Sequence, residues 1–445
     1  MITRNLSTCP SSARPSLRGL RVAFAATLSL MTLSCGWFDD QLGRPIPVDA
    51  GGHTGSGGRA YADASVPGND GGVPGADGGP TCTGSGGVAG GGGGVAGGGA
   101  GGGTRALDLL VMVDDSASMT GLQAKFAARL PDFIQVLDSF PHGRPDLHIA
   151  VVSSSLGAGI FGNVTGCMPG HPGNDDGMFQ VPPECAMVHP GEHFLRAASD
   201  PSQNNFDGDL AAAFGCIANL GASGCGFEHQ FASTQVALER SLLVGDANAG
   251  FLRPNAVLVV MFLTNEDDCS VSPDSMLFDP SQESVRDRLG GLASYRCNEF
   301  GHLCSGVAPP HQVSGSTTLM NCESAEDRGS LITVKSFTDF LFGLKPGRPD
   351  LVFTAAIAGP YVPNATAGQL GAYTVVGHNV QLPRGATENQ PGIAHSCQAT
   401  NPGDFGDPAV RISQWITQTN GLFESICSDD FKPALQQVGA ALSGP

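Results

Sequence analysis

Asp114, Ser116 and Ser118 stand at alternate positions where the apolar stretch LDLLVMV gives way to DDSASMTGL. A carboxylate and two hydroxyls at that spacing are hard oxygen donors. They suit Mg²⁺ or Mn²⁺, with Ca²⁺ as a larger alternative, and not a soft ion. Two neutral hydroxyls add no charge, so a cation held there keeps Lewis acidity for a further ligand, such as a carboxylate. Asp115, between them, is expected to point away. The competing explanation is a helix cap, in which Asp and Ser satisfy the first N–H groups of a helix without any metal. A second set of oxygens follows the apolar run AVLVVMFL, where TNEDDCS places Thr264, Asn265, Glu266, Asp267 and Asp268 in succession. Its plainer explanation is a solvated acidic turn beside a disulfide.

Catalytic patterns are weaker. HPGEH at 189–193 matches H-x-x-E-H, an inverted zinc-peptidase arrangement that needs a helix to bring both histidines to one face. Pro190-Gly191 opposes a helix there, so a surface loop is expected. No H-E-x-x-H and no G-x-S-x-G occurs. FDGDL at 206–210 reads as a helix cap, since no full calcium-binding loop follows it. NAT at 364–366 is a formal glycosylation acceptor. The chain is therefore not expected to be an enzyme.

These residues must be positioned by a fold, and the apolar pattern indicates which. Continuous apolar runs at 106–113, 148–153, 256–263 and 351–358 read as buried parallel strands, with a shorter strand at 421–426. Helical periodicity occupies about 119–138, 208–219, 227–243, 331–344, 406–418 and 429–442. This alternation predicts an α/β fold with a doubly wound, mainly parallel central sheet flanked by helices. In such a sheet ligands bind at the carboxyl ends of the strands, where Asp114 falls. The segments 156–206, 266–330 and 359–405 are too long and too rich in Gly, Pro, Asn and Cys for ordinary connections, and read as disulfide-stapled insertions.

Ahead of this head, residues 1–34 read as an export signal. They carry Arg4, Arg14, Arg18 and Arg21, then the apolar run VAFAATLSLMTLS, too short to span a membrane. The run ends at Ser34-Cys35-Gly36, which resembles the lipobox of bacterial lipoproteins, with Thr32 where leucine is usual. That resemblance implies lipidation of Cys35 and an outer-membrane lipoprotein of the cell envelope; plain secretion is the alternative. Residues 36–103 hold 27 of the 64 glycines and have almost nothing to bury. They read as a flexible tether with a root-mean-square reach of about 45 Å. The tether contains a formal G-x-G-x-x-G, but no strand precedes it, so dinucleotide binding is not expected.

Of 13 cysteines, ten lie in 104–445, an even number that suggests up to five disulfides in an exported domain. Cys297 with Cys304 and Cys216 with Cys225 are the plausible local pairs. Paired cysteines make a cysteine nucleophile unfavourable. The net charge of −18 argues against a nucleic-acid partner, which would require clustered Lys and Arg.

The D-x-S-x-S pattern, closing a buried strand and opening a helix, resembles the metal-ion-dependent adhesion site of von Willebrand factor type A domains. The likeness covers about 104–445 with the insertions added, and is to cysteine-rich, lipid-anchored type A proteins of predatory and soil bacteria. It implies a divalent cation and, through it, a protein partner offering an acidic residue. Two further parts of the family's site depart from its pattern. The loop before the third helix usually carries a threonine; here GASGCGFE (221–228) offers only Ser223. The fourth strand usually ends in Thr-Asp; here Thr264 is followed by Asn265, then Glu266 and Asp267. The implied ligands are Asp114, Ser116 and Ser118, with Ser223 and one of Asn265, Glu266 or Asp267 binding directly or through water. A metal-free structural or assembly lipoprotein, or a hydrolase built in an insertion, are the alternatives.

Overall fold

Seven consecutive residues of the first strand, β1 (Leu107–Val113), are buried, because apolar side chains on both faces of the strand need cover on both sides. In the computed structural model, which describes residues 106–168, 174–327, 329–361, 371–382, 385–401 and 403–443, β1 lies at the centre of a six-stranded sheet. The other strands are β2 (Leu147–Ser153), β3 (Leu195–Ala197), β4 (Val257–Leu263), β5 (Val352–Ala358) and β6 (Leu422–Ser425). Their order is β3-β2-β1-β4-β5-β6, and all pairs are parallel except β2 with β3. The strand order reverses beside β1, so β1 and β4 flank the topological switch point, where doubly wound sheets open a crevice. The register sets Val113 opposite both Ser153 and Leu263, so the next residues of β1, β2 and β4 emerge together at one end.

Eight helices accompany the sheet among the described residues: α1 (Thr120–Ala127), α2 (Leu130–Asp138), α3 (Leu210–Ile217), α4 (Gln230–Ser241), α5 (Tyr295–Gly301), α6 (Val334–Gly343), α7 (Val410–Thr419) and α8 (Lys432–Leu442). Alternate strand residues go to opposite faces. Leu109, Val111, Met261 and Leu263 pack with Phe126, Phe133, Phe214 and Leu435 from α1, α2, α3 and α8. Leu110, Met112, Val260 and Phe262 pack with Phe231, Phe337 and Trp415 from α4, α6 and α7. The helix expected over 119–138 is two helices, because Pro131 at the start of α2 has no N–H to continue the ladder and its ring would clash with the carbonyl one turn earlier.

The three long segments also have structure of their own. The first supplies the edge strand β3. The other two meet in one antiparallel ribbon, where 372–381 pairs with 316–320 on one side and 387–393 on the other. They share a separate apolar cluster around Phe227, Phe278, Tyr295 and Tyr373.

Five disulfides join Cys167–Cys225, Cys185–Cys216, Cys269–Cys297, Cys304–Cys322 and Cys397–Cys427. Both expected local pairs are therefore wrong. Cys216 packs against the sheet's core whereas Cys225 belongs to the insertion cluster, so they face different cores despite their proximity in sequence. The export signal, Cys35, the glycine-rich tether and Asn364 lie outside the described residues. Among those residues, no helix is long and apolar enough to cross a membrane.

Candidate metal centre

Asp114 directly follows β1 and Thr264 directly follows β4, and their backbones stay tied to the sheet. Asp114 N donates to Leu263 O at 2.9 Å and Thr264 N to Ile357 O at 3.1 Å. The Asp114 carboxylate is fully buried. Its Oδ1 accepts Ser116 N at 2.8 Å and its Oδ2 accepts the Thr264 hydroxyl at 2.8 Å. A short 3₁₀ turn, Ala117–Met119, then brings the Ser116 and Ser118 hydroxyls within 3.3 Å of each other. Ser118 donates onward to Asn265 Oδ1 at 3.1 Å. Adjacent ligands of an octahedral Mg²⁺ stand roughly 2.9–3.0 Å apart and those of Ca²⁺ roughly 3.3–3.7 Å, by the usual bond lengths. The oxygens here are spaced on that scale.

The serines do not act as helix caps. Ser116 precedes the 3₁₀ turn and Met119 precedes α1, and neither position makes a side-chain cap bond. The network is instead braced by Gln123, whose Nε2 donates to Asp114 O at 2.7 Å and Gly221 O at 2.8 Å, while its Oε1 accepts Gly221 N at 3.0 Å. One buried side chain thus fastens the 221–228 loop to the strand end.

Asp115, expected to point away, is buried and does not reach solvent. It turns onto the end of β2, where its Oδ1 accepts Ser155 at 2.9 Å and Ser154 at 3.3 Å. Gly224 lies flat against it: a Cβ at that position would sit 2.3 Å from Asp115 Oδ1. Burial, with Asp114 as a like-charged neighbour, pushes the Asp115 carboxyl up to about 8. Burial also raises Asp114.

The remaining expected ligands divide. Asn265 joins the serines through Ser118. Ser223 is exposed beside Gly224, with no hydrogen bond to the Asp114 set among those described. Glu266 is half-buried and borders a water-sized space with Glu228, Asp267 and Asp407. Asp267 is not a member of the Asp114 group, because its carboxylate is committed elsewhere. It accepts Arg411 N at 2.9 Å and Ile412 N at 3.2 Å, holding the first turn of α7, and His302 Nε2 at 2.8 Å. Asp268 likewise accepts Phe231 N at 2.9 Å at the start of α4 and pairs with Arg411 at 3.1 Å.

Charge compensation separates these acids. Of the six other buried aspartates, five each have a basic side chain close by: Asp108 has Arg253 at 2.7 Å, Asp267 has His302 at 2.8 Å, Asp268 has Arg411 at 3.1 Å, Asp404 has Lys125 at 3.4 Å and Asp407 has His395 at 2.5 Å. The sixth, Asp175, accepts the Ser153 hydroxyl at 2.5 Å and is a further like charge near Asp115. Among the described residues no basic side chain pairs with Asp114 or Asp115, whose neighbours are hydroxyls, the main-chain N–H groups of Ser116 and Asn265, each other and Asp175. Two buried polar atoms of the same network, Asn265 Nδ2 and Gln230 Oε1, also lack a hydrogen-bond partner. Gln230 reaches the network through its Nε2, 3.0 Å from the Thr264 hydroxyl. A buried carboxylate next to a second one must bind a cation or take up a proton. The donor set of one carboxylate, two hydroxyls and an amide fits a hard divalent ion.

Sequence reasoning missed Gln123, Gln230 and the serines 154 and 155, and did not assign Thr264 a role. The signal for Thr264 was its position, the first hydroxyl after an apolar strand, matching Asp114 on β1. HPGEH forms a turn with no helix, and Glu192 is bound to Arg196 at 2.6 Å and Asn205 at 3.0 Å. Asp209 of FDGDL caps α3 by accepting Ala212 N at 2.9 Å.

Compared with known protein families, the chain matches no family model. Compared with curated proteins, it matches none.

Proposed function

We propose that the head is a binding module of the bacterial cell envelope. In this reading a divalent cation, Mg²⁺ or Mn²⁺, sits at Asp114, Ser116 and Ser118 with Asn265 beside it, and a protein partner is held through that ion by one of its own carboxylates. The fold type carrying the site would be that of a von Willebrand factor type A domain, which the D-x-S-x-S pattern resembles. The observation that carries the proposal is the buried Asp114–Asp115 pair with no basic side chain, where five of the six other buried aspartates of the head each have one. A cation would supply the missing charge. The serines and the amide would leave most of that charge unneutralised, which favours an anionic group as the next ligand.

Five disulfides indicate an oxidising, extracytoplasmic compartment. Anchoring of the head through a lipid on Cys35 at the outer membrane belongs to the same proposal.

Calorimetric titration of Mg²⁺ and Mn²⁺ into the oxidised protein and into Asp114→Ala tests it. Saturable binding by the parent protein alone is the expected result. No heat from either, with both folded, would leave the second reading. That reading is a metal-free scaffold in which the pair is neutralised by protons, favoured by the Asp115 carboxyl being pushed up to about 8.

A further inference from the structure

Three consecutive apolar side chains stand in solvent where α4 ends. Leu242 is 58% exposed, Leu243 57% and Val244 103%. Gly245, at φ +84°, takes the left-handed conformation that turns the chain back and leaves Val244 at the tip. Isolated exposed apolar residues need no explanation, but three in a row at a projecting turn do.

Their place in the fold is informative. α4 starts at the crevice end of the sheet, where Gln230 reaches Thr264, and runs 12 residues to the opposite end. The segment that follows is at that opposite end: Arg253 N donates to Asp108 and Phe251 O meets His148, both near the starts of their strands. The described chain begins there too, with Ala106 O accepting Val257 N at 2.9 Å. The apolar tip and the point where the glycine-rich segment joins the head therefore lie at the same end, away from Asp114.

We propose that Leu242–Val244 is a lipid-contacting foot that sets the head on the membrane with its crevice facing outward. This rests on the reading of Cys35 as a lipid anchor. Arg240 is already shared between Asp176 at 2.9 Å and Asp246 at 3.2 Å, so the attachment is apolar and does not call for anionic lipid. Three residues fall far short of the ~800 Å² per partner of a stable protein interface, which disfavours a second copy as the occupant. They are also too few to hold a free protein on lipid. A tether of the predicted length raises the effective concentration of the surface to about millimolar, where so weak a contact is populated.

The test uses the full lipidated chain carrying Val244→Trp in phosphatidylcholine vesicles, with brominated phosphatidylcholine as quencher and the unsubstituted protein subtracted. The emission added by the substitution should fall roughly twofold with the brominated lipid. The fall should persist in high salt and vanish when Leu242→Ser and Leu243→Ser are added. Unquenched emission overturns the foot. The mass of the N-terminal peptide is read in parallel. A lipidated Cys35 with no quenching rejects the foot alone, whereas an unmodified Cys35 rejects the anchor on which it rests. A concentration-dependent dimer in sedimentation that Val244→Ser dissolves assigns the tip to a second copy and overturns the proposal.

Discussion

The head contains two Asp-Asp pairs at strand ends, and they are built in opposite ways. Asp267 and Asp268, after β4, are tied into the fold by His302, Arg411 and main-chain N–H groups of α4 and α7. Asp114 and Asp115, after β1, are as deeply buried and receive only neutral donors. The same dipeptide, one strand apart, is a structural clamp in one place and an uncompensated charge in the other. A pair that carries its own counter-charge has no use for an ion. A pair that lacks one must take up a proton or, in the proposed reading, an ion from outside.

The comparison can be broken most forcefully at the clamp. Arg411→Met strands the Asp268 carboxylate and should cost about 3–5 kcal/mol. Guanidinium unfolding with the disulfides intact would read it; a loss below about 1 kcal/mol would mean that the clamp is not one. Next in size is acid. His229 lies between the pairs, its N–H bonded to Ser154 O and the following residues reaching Thr264 and Asp268. Burial lowers His229, and likewise His148, from 6.5 to about 4. The unfolded chain therefore takes up protons between those values while the folded one does not. The histidines' share of stability should be full above pH 6.5 and fall towards pH 4, by about 2–3 kcal/mol per histidine, while the raised Asp115 carboxyl adds stability over the same fall in pH; the histidine effect is therefore read as the difference between the parent protein and His148→Phe. An identical pH dependence of the melting temperature in the two proteins across that window would contradict it.

The sharpest contrast is one of sign. In chelator, Asp114→Asn should leave the protein as stable or raise it by about 1–2 kcal/mol, since it removes an unpaired buried charge, whereas Asp268→Asn should lower it. Thr264 can accommodate the new amide by turning its hydroxyl to Glu266 O, 3.2 Å away. Matched unfolding midpoints decide this, and equal losses at both sites would erase the distinction. Smallest is Gly224→Ala. Its methyl would press on the Asp115 carboxylate, costing about 1 kcal/mol. Mg²⁺ affinity should weaken, while hydrogen exchange at the starts of α4 and α7 stays unchanged.

Much of this arrangement was legible in the residues. The strands of 106–113, 148–153, 256–263, 351–358 and 421–426 emerge within a residue or so of their expected limits, because an apolar run long enough for one strand declares itself locally. The gathering of Asp114, Ser116 and Ser118 was readable for the same reason: they lie in one contiguous stretch that ends a strand. That Asn265, from among Asn265, Glu266 and Asp267, is the one bonded to Ser118 was not readable.

What the sequence by itself determined is therefore the alternation of strands and helices, the placing of an oxygen-rich turn at a strand's carboxyl end, and an even set of cysteines in the head. Only the tertiary structure decided which acids face the crevice, which cysteines meet, and that two insertions share one ribbon. The physical reason is range. Periodicity and turn chemistry are fixed by neighbours a few residues away. The fate of Asp267 was settled by a helix start 144 residues later in the chain, and that of Asp115 by serines 39 and 40 residues on. A carboxylate's role depends on the charge that reaches it, and that charge arrives only when the chain has folded.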